Sequence, residues 1–453
     1  MKYSPYPEYK ESGVAWLDRF PRHWNRSSLK HLVSTPITDG PHETPTFEDE
    51  GVPFVSAESV WGGEVHLESR RGNISRELHE IYSRKYCPRQ HDIYVVKSGS
   101  TTGKVAYVDF DVEFNIWSPL AAIRCDRSVA YPRFVYYALS SEYFQRLVQV
   151  SWSFGTQPNI GMSVLENLEI ALGDPEEQTA IANFLDRETG RIDALILKQR
   201  ELIELLGEKR RALISRCVTR GLPPAAAKAA GLDPHPQLKP TGIDWLGDVP
   251  KHWDVRRIKA ITEILRGKFT HRPRNDPRMY DGSYPFVQTG DVAQSGKYVS
   301  DYSQTLNEEG YRVSKEFPHG TLVMTIAANI GDVAILSFDA CFPDSIVGFV
   351  PRYENTVEFL FYLFSGMKST LLSTSTLNTQ LNLNVDRIGV LNAPVPPQEE
   401  QTAIANFLDA ETAKLDRLVS KAEEMIDRLQ EYRTALITAA VTGKIDVREE
   451  ASK

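Results

Sequence analysis

One segment of eleven residues occurs twice in this chain without a single change. EEQTAIANFLD fills positions 176–186 and again positions 399–409. The repetition extends further, because SGVAWLDRFPRHWNRSSLKHL at 12–32 matches TGIDWLGDVPKHWDVRRIKAI at 241–261 in its Gly, Trp, Pro and His positions. Shorter motifs then return in the same order: PFVSAESV as PFVQTGDV, VVKSGSTTGKVA as VMTIAANIGDVA, and TQPN as TQLN. The chain is therefore a tandem duplication of about 225 residues, and we expect an internal pseudo-twofold.

Each copy of the repeated segment begins a long amphipathic pattern. Apolar residues recur at steps of three, four and seven, and the two copies match throughout. A helix of about 40 residues is about 60 Å long and cannot bury such a stripe alone. Either each helix packs on its own domain, or the two pair as an antiparallel coiled coil, which the matching stripes favour. The residues expected in the helix–helix seam are Ile181, Phe184, Leu185, Ile192, Leu195, Leu206, Ile404, Phe407, Leu408, Leu415, Leu418 and Leu429.

The rest of the chain divides around these two helices. A stretch rich in Gly, Pro and Ala between them marks a linker. In front of each helix, short β-rich runs such as DIYVVKSG and IVGFV alternate with helix-like stretches at 131–150 and 355–372, which predicts mixed α/β globules. The predicted order is a globule at 1–174, a long helix at 175–217, a linker at 218–240, a second globule at 241–397, a second long helix at 398–443 and a tail at 444–453.

Composition limits the function classes. A 41% hydrophobic and 25% charged chain of 453 residues is typical of globular proteins. No apolar run reaches the 18 or so residues of a membrane span, and the start has no signal-peptide pattern, so we expect a cytoplasmic protein. The four cysteines are too widely spaced for a zinc site and are interpreted as structural thiols. The net charge of −8 disfavours nucleic-acid binding on average, but local basic patches decide contact.

The order of these elements resembles a known family. A globule that ends in GTQPNI or NTQLNL, then PEEQTAIANFLD or PPQEEQTAIANFLD, then a long helix, all given twice, is similar to the specificity subunit of type I restriction-modification enzymes. In this family the segment before each long helix is usually rich in proline, but in the first half of this chain that segment contains only Pro175. The resemblance implies two target recognition domains that read double-stranded DNA, held by two helices that serve as a spacer. It also implies a bipartite, asymmetric target, with helix length setting the gap.

The same resemblance implies the partners. Two methyltransferase subunits would use S-adenosylmethionine to methylate adenine, and endonuclease subunits that translocate on DNA would use ATP and Mg. Two identical partners that bind the same surface in both halves of the chain would explain why the eleven-residue segment is unchanged in the two copies. This chain itself would bind no cofactor and no metal.

Candidate DNA contacts fall into basic patches and polar loops. The patches lie at 70–90 and 266–278, and arginine and lysine there suit phosphates and guanine. The loops KSGSTTGK and TIAANIGD follow β runs; the first lacks the spacing of a phosphate-binding P-loop. Each patch can instead be an ordinary solvated face, and the TQPN and TQLN motifs can simply support the helix start. The candidates are Arg70, Arg71, Arg84, Lys85, Lys97, Ser98, Thr101, Thr102, Lys104, Thr156, Gln157, Arg266, Lys268, Arg272, Arg274, Asn329, Thr379 and Gln380.

The remaining repeated aromatic residues predict structure rather than chemistry. Trp16, Trp24, Trp245 and Trp253 recur beside a proline in both halves and are expected in a packing corner, together with neighbouring histidines.

Catalytic residues are not predicted anywhere in the chain. It has no NPPY or DPPY tetrapeptide, no GxGxxG loop and no Walker motif. Two other classes stay open, a scaffold without a nucleic-acid role and a fused restriction enzyme. The missing motifs disfavour the enzyme, and the divergent globules disfavour the scaffold.

Overall fold

The computed structural model describes residues 3–14, 17–151, 153–154, 158–327, 329–373, 383 and 385–450. It divides into two units. Unit 1 comprises Met1–Gln199 and Glu423–Lys453, and unit 2 comprises Arg200–Ala422. Among the described residues, no helix is both long enough and apolar enough to cross a membrane.

Unit 1 is a mixed α/β globule that carries the start of one long helix. Its strands are β1 (Tyr9–Val14), β2 (Leu17–Pro21), β3 (Asn25–Ser28), β4 (Thr38–Asp39), β5 (Val52–Val55), β6 (Val60–Trp61), β7 (Glu64–Val65), β8 (Gly72–Ile74), β9 (Ile93–Val96), β10 (Val105–Tyr107), β11 (Asn115–Ile116), β12 (Leu120–Ile123), β13 (Ser153–Phe154), β14 (Pro158–Asn159) and β15 (Glu169–Leu172). Its helices are α1 (Arg76–Ser83), α2 (Pro132–Ser140), α3 (Glu142–Val150), α4 (Met162–Asn167), the first part of α5 (Pro175–Arg220) and the last part of α13 (Gln398–Val441).

Unit 2 repeats this plan. It contains α6 (Pro224–Ala229), β16 (Leu238–Pro240), β17 (Asp248–Pro250), β18 (Asp254–Arg257), α7 (Ile258–Ile261), β19 (Thr262–Arg266), β20 (Tyr280–Pro285), α8 (Thr289–Gln294), β21 (Tyr298–Val299), β22 (Thr305–Leu306), α9 (Glu308–Arg312), β23 (Glu316–Phe317), β24 (Leu322–Thr325), β25 (Val333–Leu336), β26 (Ala340–Cys341), β27 (Ile346–Pro351), α10 (Val357–Gly366), α11 (Lys368–Ser373), α12 (Val385–Val390), β28 (Asn392–Val395) and the first part of α13 (Gln398–Val441).

A buried central strand organises each globule. β9 lies inside a six-stranded sheet of order β4-β12-β9-β10-β7-β6, and β24 lies inside a five-stranded sheet of order β19-β27-β24-β25-β21. Ile93 and Val95 contribute to one hydrophobic cluster, while Tyr94 and Val96 contribute to another. Side chains alternate across a strand, so each β9 face covers a core. This explains why β9 reads as an unbroken apolar run.

A second pairing brings the N-terminal part of each globule to its long helix. β3 pairs antiparallel with β15, the strand that leads into α5. β18 pairs antiparallel with β28, the strand that leads into α13. The two halves therefore use the same strand pair at the same place, as the duplicated sequence predicts.

The long helices pack antiparallel within each unit. In unit 1, Phe184 and Ile192 near the start of α5 share a hydrophobic cluster with Leu436 and Ala440 near the end of α13. In unit 2, Ile214 near the end of α5 shares a cluster with residues at the start of α13. The beginning of one helix lies beside the end of the other in each unit. Each helix start also packs on its own globule, so both predicted arrangements occur together.

Ion pairs on the helix flanks follow the same antiparallel order. Arg433 Nε lies 3.0 Å from Asp193 Oδ1 in unit 1. Arg210 pairs with Asp416 in unit 2. In both pairs an arginine on the second half of one helix meets an aspartate on the first half of the other.

Most of the residues expected in the seam are buried or packed against a core, but two are not. Leu195 and Leu418 are 47% and 49% exposed, which corrects the prediction for them. Each follows a buried seam residue, Ile192 or Leu415, by three positions and is turned about 60° to one side of it. A narrow helix–helix contact does not reach that flank. The other expected residues lie inside: Ile181, Phe184, Leu185, Ile192, Leu206, Ile404, Leu408 and Leu415 are buried, and Phe407 and Leu429 pack partly buried against a core.

Both helices end at a glycine. α5 continues to Arg220, beyond the predicted end at 217, because Val218 is fully buried in the unit 2 core. Gly221 then adopts a φ of 80°, a conformation that stops the helix at little steric cost. Gly443 has a φ of 68° after α13 and closes that helix in the same way.

The buried seam yields a direct test of the helix pairing. Ile192→Asp and Leu415→Asp place a carboxylate at positions that are 5% and 6% exposed. We expect each variant to lose about 3 kcal/mol or more of unfolding free energy, since a buried unpaired charge is costly. Urea unfolding followed by circular dichroism measures this loss. Leu195→Asp and Leu418→Asp are the matched controls, and losses equal to those of the seam variants would contradict the pairing.

Candidate functional site

A buried carboxylate anchors the start of α5 to the unit 1 globule. Glu177 accepts hydrogen bonds from the hydroxyl of Tyr6 at 2.7 Å and from Nε1 of Trp24 at 2.9 Å. His23 Nε2 lies 2.8 Å from the same carboxylate, and Arg448 Nε lies 3.8 Å from it. Trp24 is fully buried and also packs on the end of α13, where a Cβ on Gly443 would lie 3.4 Å from the indole ring. One carboxylate therefore joins the N-terminal arm to a helix start beside a helix end.

Unit 2 builds the same anchor at the start of α13. Glu400 accepts a hydrogen bond from Trp253 Nε1 at 2.7 Å and lies 2.6 Å from His252 Nε2. Trp253 is fully buried, and a Cβ on Gly221 would lie 3.5 Å from its ring. The two anchors thus use the same residue types at equivalent positions.

These anchors confirm the packing corner expected for Trp24 and Trp253. Trp245 packs partly buried against the unit 2 core, and its Nε1 has no hydrogen-bond partner among the described residues. Trp16 lies outside the described residues. In the described part of the chain, no group of three or more His, Cys, Asp or Glu side chains is arranged to hold a metal ion.

The glutamine that follows each anchor caps a second helix of the globule. Gln178 accepts a hydrogen bond from the backbone N–H of Tyr131, which precedes α2, at 2.8 Å. Gln401 accepts one from the backbone N–H of Thr356, which precedes α10, at 3.0 Å. Each amide also donates to a backbone carbonyl of its own globule. Both side chains are essentially inaccessible to solvent, so they serve the docking of helix on globule.

The aspartate at the end of the repeated segment makes a third matched contact. Asp186 accepts hydrogen bonds from the hydroxyl of Tyr137 at 2.6 Å and from Arg133 Nε at 2.7 Å. Asp409 accepts from the hydroxyl of Tyr362 at 2.6 Å and from Lys297 at 2.7 Å. Burial, together with the hydrogen bond to the carboxylate, raises the pKa of both tyrosines. Each tyrosine therefore stays a protonated donor at neutral pH.

Most residues of the repeated eleven-residue segment thus make contacts within their own unit. The Glu, Gln and Asp side chains form hydrogen bonds to the globule. The Ile, Phe and Leu side chains and the second Ala of the segment pack in or against the hydrophobic core. The contacts within each unit give the identity of the two copies a second explanation beside the external partner expected from the sequence. Docking of each globule on its helix accounts for seven of the eleven positions.

Lys97 is not available to DNA, which corrects its prediction as a contact. Its side chain is 9% exposed, and its Nζ lies 2.5 Å from Asp39 Oδ2. Lys85 Nζ lies 2.7 Å from the other oxygen of the same carboxylate. Burial opposes ionisation of Asp39, but the hydrogen bonds from the two lysines outweigh it and lower its pKa. The triad ties the start of the polar loop to the globule.

The remainder of the first polar loop is more open. Lys104 is exposed and forms no side-chain hydrogen bond or ion pair with any described residue. Thr101 and Ser98 are half-buried, and Thr102 donates to the carbonyl of Pro158 at 3.1 Å. The structure therefore brings this loop beside the stretch that follows the TQPN motif. Thr156 and Gln157 of that motif lie outside the described residues.

The first basic patch is largely paired with polar groups of its own globule. Arg71 lies 3.3 Å from Glu58 and also over the ring of Trp117. Arg70 donates to the side chain of Asn73 at 2.7 Å. Arg84 is exposed and, within the described ranges, forms no side-chain hydrogen bond or ion pair. Arg89 is likewise exposed and has no side-chain hydrogen bond or ion pair in the described part of the patch, so these two are its cations most available to an outside phosphate.

The second basic patch gathers around one aspartate. Asp344 pairs with Arg274 and lies 3.7 Å from Arg272, and its carbonyl accepts a hydrogen bond from Arg266 Nε at 3.1 Å. These three arginines stay partly exposed but are held by the globule. Lys268 is exposed and, among the described residues, has no side-chain hydrogen bond or ion pair.

The second polar loop offers less charge than the first. Asn329 is exposed, and its carbonyl accepts a hydrogen bond from the Thr325 hydroxyl, which shapes the loop. Thr379 and Gln380 lie outside the described residues. The two globules thus keep one fold but differ in the chemistry of their loops.

Sequence reasoning missed one exposed aromatic residue near the first loop. Trp61 is 48% exposed and stacks in parallel on His66, with ring centroids 3.3 Å apart. It lines a cavity of about 300 Å³ together with Lys104 and Arg433. The two glycines after Trp61 both have positive φ and form the tight turn that presents it. The tripeptide Trp-Gly-Gly at 61–63 is the sequence feature that indicates such an exposed turn.

The fold and site define a class: paired α/β globules, each docked on the start of a long helix by the same buried contacts. The model of the type I restriction modification DNA specificity domain matches residues 23–205 and 250–426. The chain therefore belongs to this family and carries the domain twice.

Individual relatives agree with this assignment. The type I restriction enzyme MjaVIII specificity subunit of Methanocaldococcus jannaschii is 22% identical over 416 residues, covering 85% of this chain and 86% of that protein. The EcoKI specificity subunit of Escherichia coli is 22% identical over 221 residues, 44% of each chain. A chain solved in a study of complex assembly in a type I R-M system shares the fold with a TM-score of 0.65 and 17% identity, covering 94% of this chain and 99% of that one.

The Asp39 triad predicts a pH-dependent stability. Asp39→Asn should cost about 3 kcal/mol at pH 7, since it leaves the buried Lys97 without its charge partner. The folded pKa of Asp39 lies below its unfolded value of about 3.9, so the stabilisation is full above that value and disappears as pH falls through the folded pKa.

Urea midpoints of wild type and variant at pH 7, 5 and 3 measure this difference. We expect a gap at pH 7 and at pH 5, where the Asp39 carboxylate is ionised, and a smaller one at pH 3. Asp111→Asn, at an exposed position, is the control and should show no gap. A gap for Asp39→Asn that does not change with pH would contradict the role of the ionised carboxylate.

Proposed function

We propose that this chain reads a bipartite, asymmetric sequence of double-stranded DNA, one part with each globule, and directs partner subunits to it. One observation carries the proposal. The buried contacts that dock each globule on its helix are the same in both units, whereas the loops beyond them differ. A protein with invariant docking and divergent loops suits the reading of two different short sequences.

The described side chains include groups whose chemistry suits DNA contact. Arg84, Lys104 and Lys268 are exposed cations without partners among the described residues and suit phosphate oxygens. Asn329 carries an amide, the group that pairs best with adenine in the major groove. Trp61 offers an apolar ring face beside Lys104. The paired arginines at the two patches position the loops that carry these groups.

The partners follow from the family. Two methyltransferase subunits would methylate adenine with S-adenosylmethionine, and endonuclease subunits would use ATP and Mg to translocate and cleave. The chain itself acts without catalysis, as a recognition subunit in the cytoplasm. Its sequence supports this reading because it contains none of the methyltransferase or ATPase motifs.

Mapping of methylated adenines tests the proposal. The chain is expressed with its cognate methyltransferase subunit in a host that has no other DNA methylation, and single-molecule sequencing locates each modified base. We expect a gapped, asymmetric motif methylated on both strands. Absent or ungapped methylation from an assembled complex would favour a scaffold without DNA reading.

Charge removal tests the individual contacts. Each lysine that touches a phosphate contributes about 0.9 to the slope of log affinity against log salt. Lys104→Ala and Lys268→Ala together should therefore weaken binding to the mapped site and flatten the slope by about 2. Fluorescence anisotropy at several salt concentrations measures both quantities.

Arg76→Ala is the matched control, because Arg76 lies 2.6 Å from Glu113 in an exposed ion pair. We expect it to leave the slope unchanged. Unchanged affinity and slope in the double lysine variant would exclude these two side chains as contacts.

A further inference from the structure

A cavity of about 750 Å³ opens at the end of α5 in unit 2. One wall is formed by the last turns of α5, and the opposite wall by the arm of unit 2, which we define as residues 234–247. Sites for small molecules typically have volumes of about 300–1,000 Å³. Among the described residues, the charged groups on these walls take no part in docking the globule on α13. The cavity is therefore large enough for a ligand and separate from the anchor.

Unit 1 closes the corresponding place with its own C-terminal tail. The backbone N–H of Asp446 donates to the carbonyl of Ser4 at 2.8 Å, and the guanidinium of Arg448 lies over the ring of Tyr6. The PYP tripeptide that contains Tyr6 corresponds to PHP in unit 2, since both precede the repeated tryptophan by the same number of residues. Tyr6 is buried, but His235 in the middle of PHP is exposed and lines the cavity. The arm is thus covered in unit 1 and open in unit 2.

The helix wall carries two cations that unit 1 lacks. Arg216 and Arg220 lie one turn apart, are exposed and form no side-chain hydrogen bond or ion pair with any described residue. Counted from the repeated segments, they correspond to Ala439 and Gly443. A helix dipole favours a cation in the last turn, but the last turn of α13 has no basic residue. The dipole alone therefore does not account for the two arginines.

The opposite wall offers an aromatic ring and a carboxylate. Trp245 packs partly buried against the unit 2 core, and its ring lines the cavity beside Leu222. Asp244 is exposed and, within the described ranges, has no side-chain hydrogen bond or ion pair. Guanidinium groups suit phosphate oxygens, an indole face suits a flat base, and a carboxylate accepts from a hydroxyl or amino group. A nucleoside phosphate carries all of these partners.

We propose that this cavity binds one nucleoside phosphate, with its phosphates at Arg216 and Arg220 and its base against Trp245. The negative end of α5 opposes an anion with about half an elementary charge, and two full positive charges outweigh it. The site occurs once in the chain, because unit 1 lacks the arginines and covers its arm with the tail. A free nucleotide and a nucleotide unit of a DNA strand share this chemistry, and the test separates the two sources. The inference goes beyond the reading of DNA by the globules.

Isothermal titration calorimetry of the full chain tests the assignment. The probes are the four common ribonucleoside triphosphates, inorganic pyrophosphate and a short single-stranded oligonucleotide. We expect at least one triphosphate to bind at a single site per chain, about tenfold or more tighter than pyrophosphate, which has no base to stack. Arg216→Ala, Arg220→Ala and Trp245→Leu should each raise the dissociation constant about fivefold or more. Binding of the oligonucleotide alone, weakened by the same variants, would assign the site to a nucleotide unit of DNA.

Arg211→Ala is the matched control, because Arg211 is also exposed on α5 but does not line this cavity. It should bind as the wild type does, and unchanged urea midpoints would show intact folding of each variant. Trp245 contacts the core, so the two exposed arginines keep the test decisive if Trp245→Leu does not fold. The inference is overturned if no probe binds, if pyrophosphate binds as tightly as the triphosphates, or if both arginine variants keep the wild-type affinity. Two equal sites per chain would likewise overturn it.

Discussion

The structure depends on one hydrogen-bonded carboxylate at the start of each long helix. Glu177 is buried, Glu400 keeps a side-chain exposure of 17%, and each accepts the indole N–H of a fully buried tryptophan. A carboxylate withdrawn from water is costly unless its oxygens accept hydrogen bonds, and the tryptophan and histidine in the N-terminal part of each globule meet this need. Because the same tryptophans also pack near the glycines that end the long helices, each anchor fixes a globule, a helix start and a helix end at once. The repeated letters around the anchor, from Gln178 to Asp186, extend this fixation over three turns.

The docking contacts at the helix starts are constant between the two units, whereas the polar loops of the globules vary. The anchor, the glutamine cap and the aspartate–tyrosine contact are the same in both units, and they involve buried groups that tolerate little variation. The polar loops that follow β9 and β24 take no part in these contacts, and they differ in sequence and charge.

Much of this organisation could be predicted from the sequence, for reasons that are local. The apolar period defines the long helices, and the tandem repeat defines two halves with one plan. The corner of Trp24 and Trp253 follows from their recurrence beside a proline.

What could not be predicted depends on partners distant in sequence. Lys97 begins a polar loop, so its sequence position predicts a DNA contact. In the structure Lys97 is buried and paired with Asp39, which lies 58 positions earlier. The arginines at 266–274 read as a free basic patch, yet Asp344 holds them. Leu195 fits the stripe by spacing, and only the width of the helix contact leaves it exposed.

A double-mutant cycle between Glu400 and Trp253 tests the central role of the anchor most directly. Glu400→Ala, Trp253→Phe and the double variant are compared with wild type through the unfolding free energy of unit 2, obtained from amide hydrogen exchange of its buried strands. Hydrogen bonds to charged groups contribute about 1.5–3 kcal/mol, and we predict a coupling energy in that range, with a similar value for Glu177 and Trp24 in unit 1. Additive effects, with a coupling below about 0.5 kcal/mol in both units, would contradict the account.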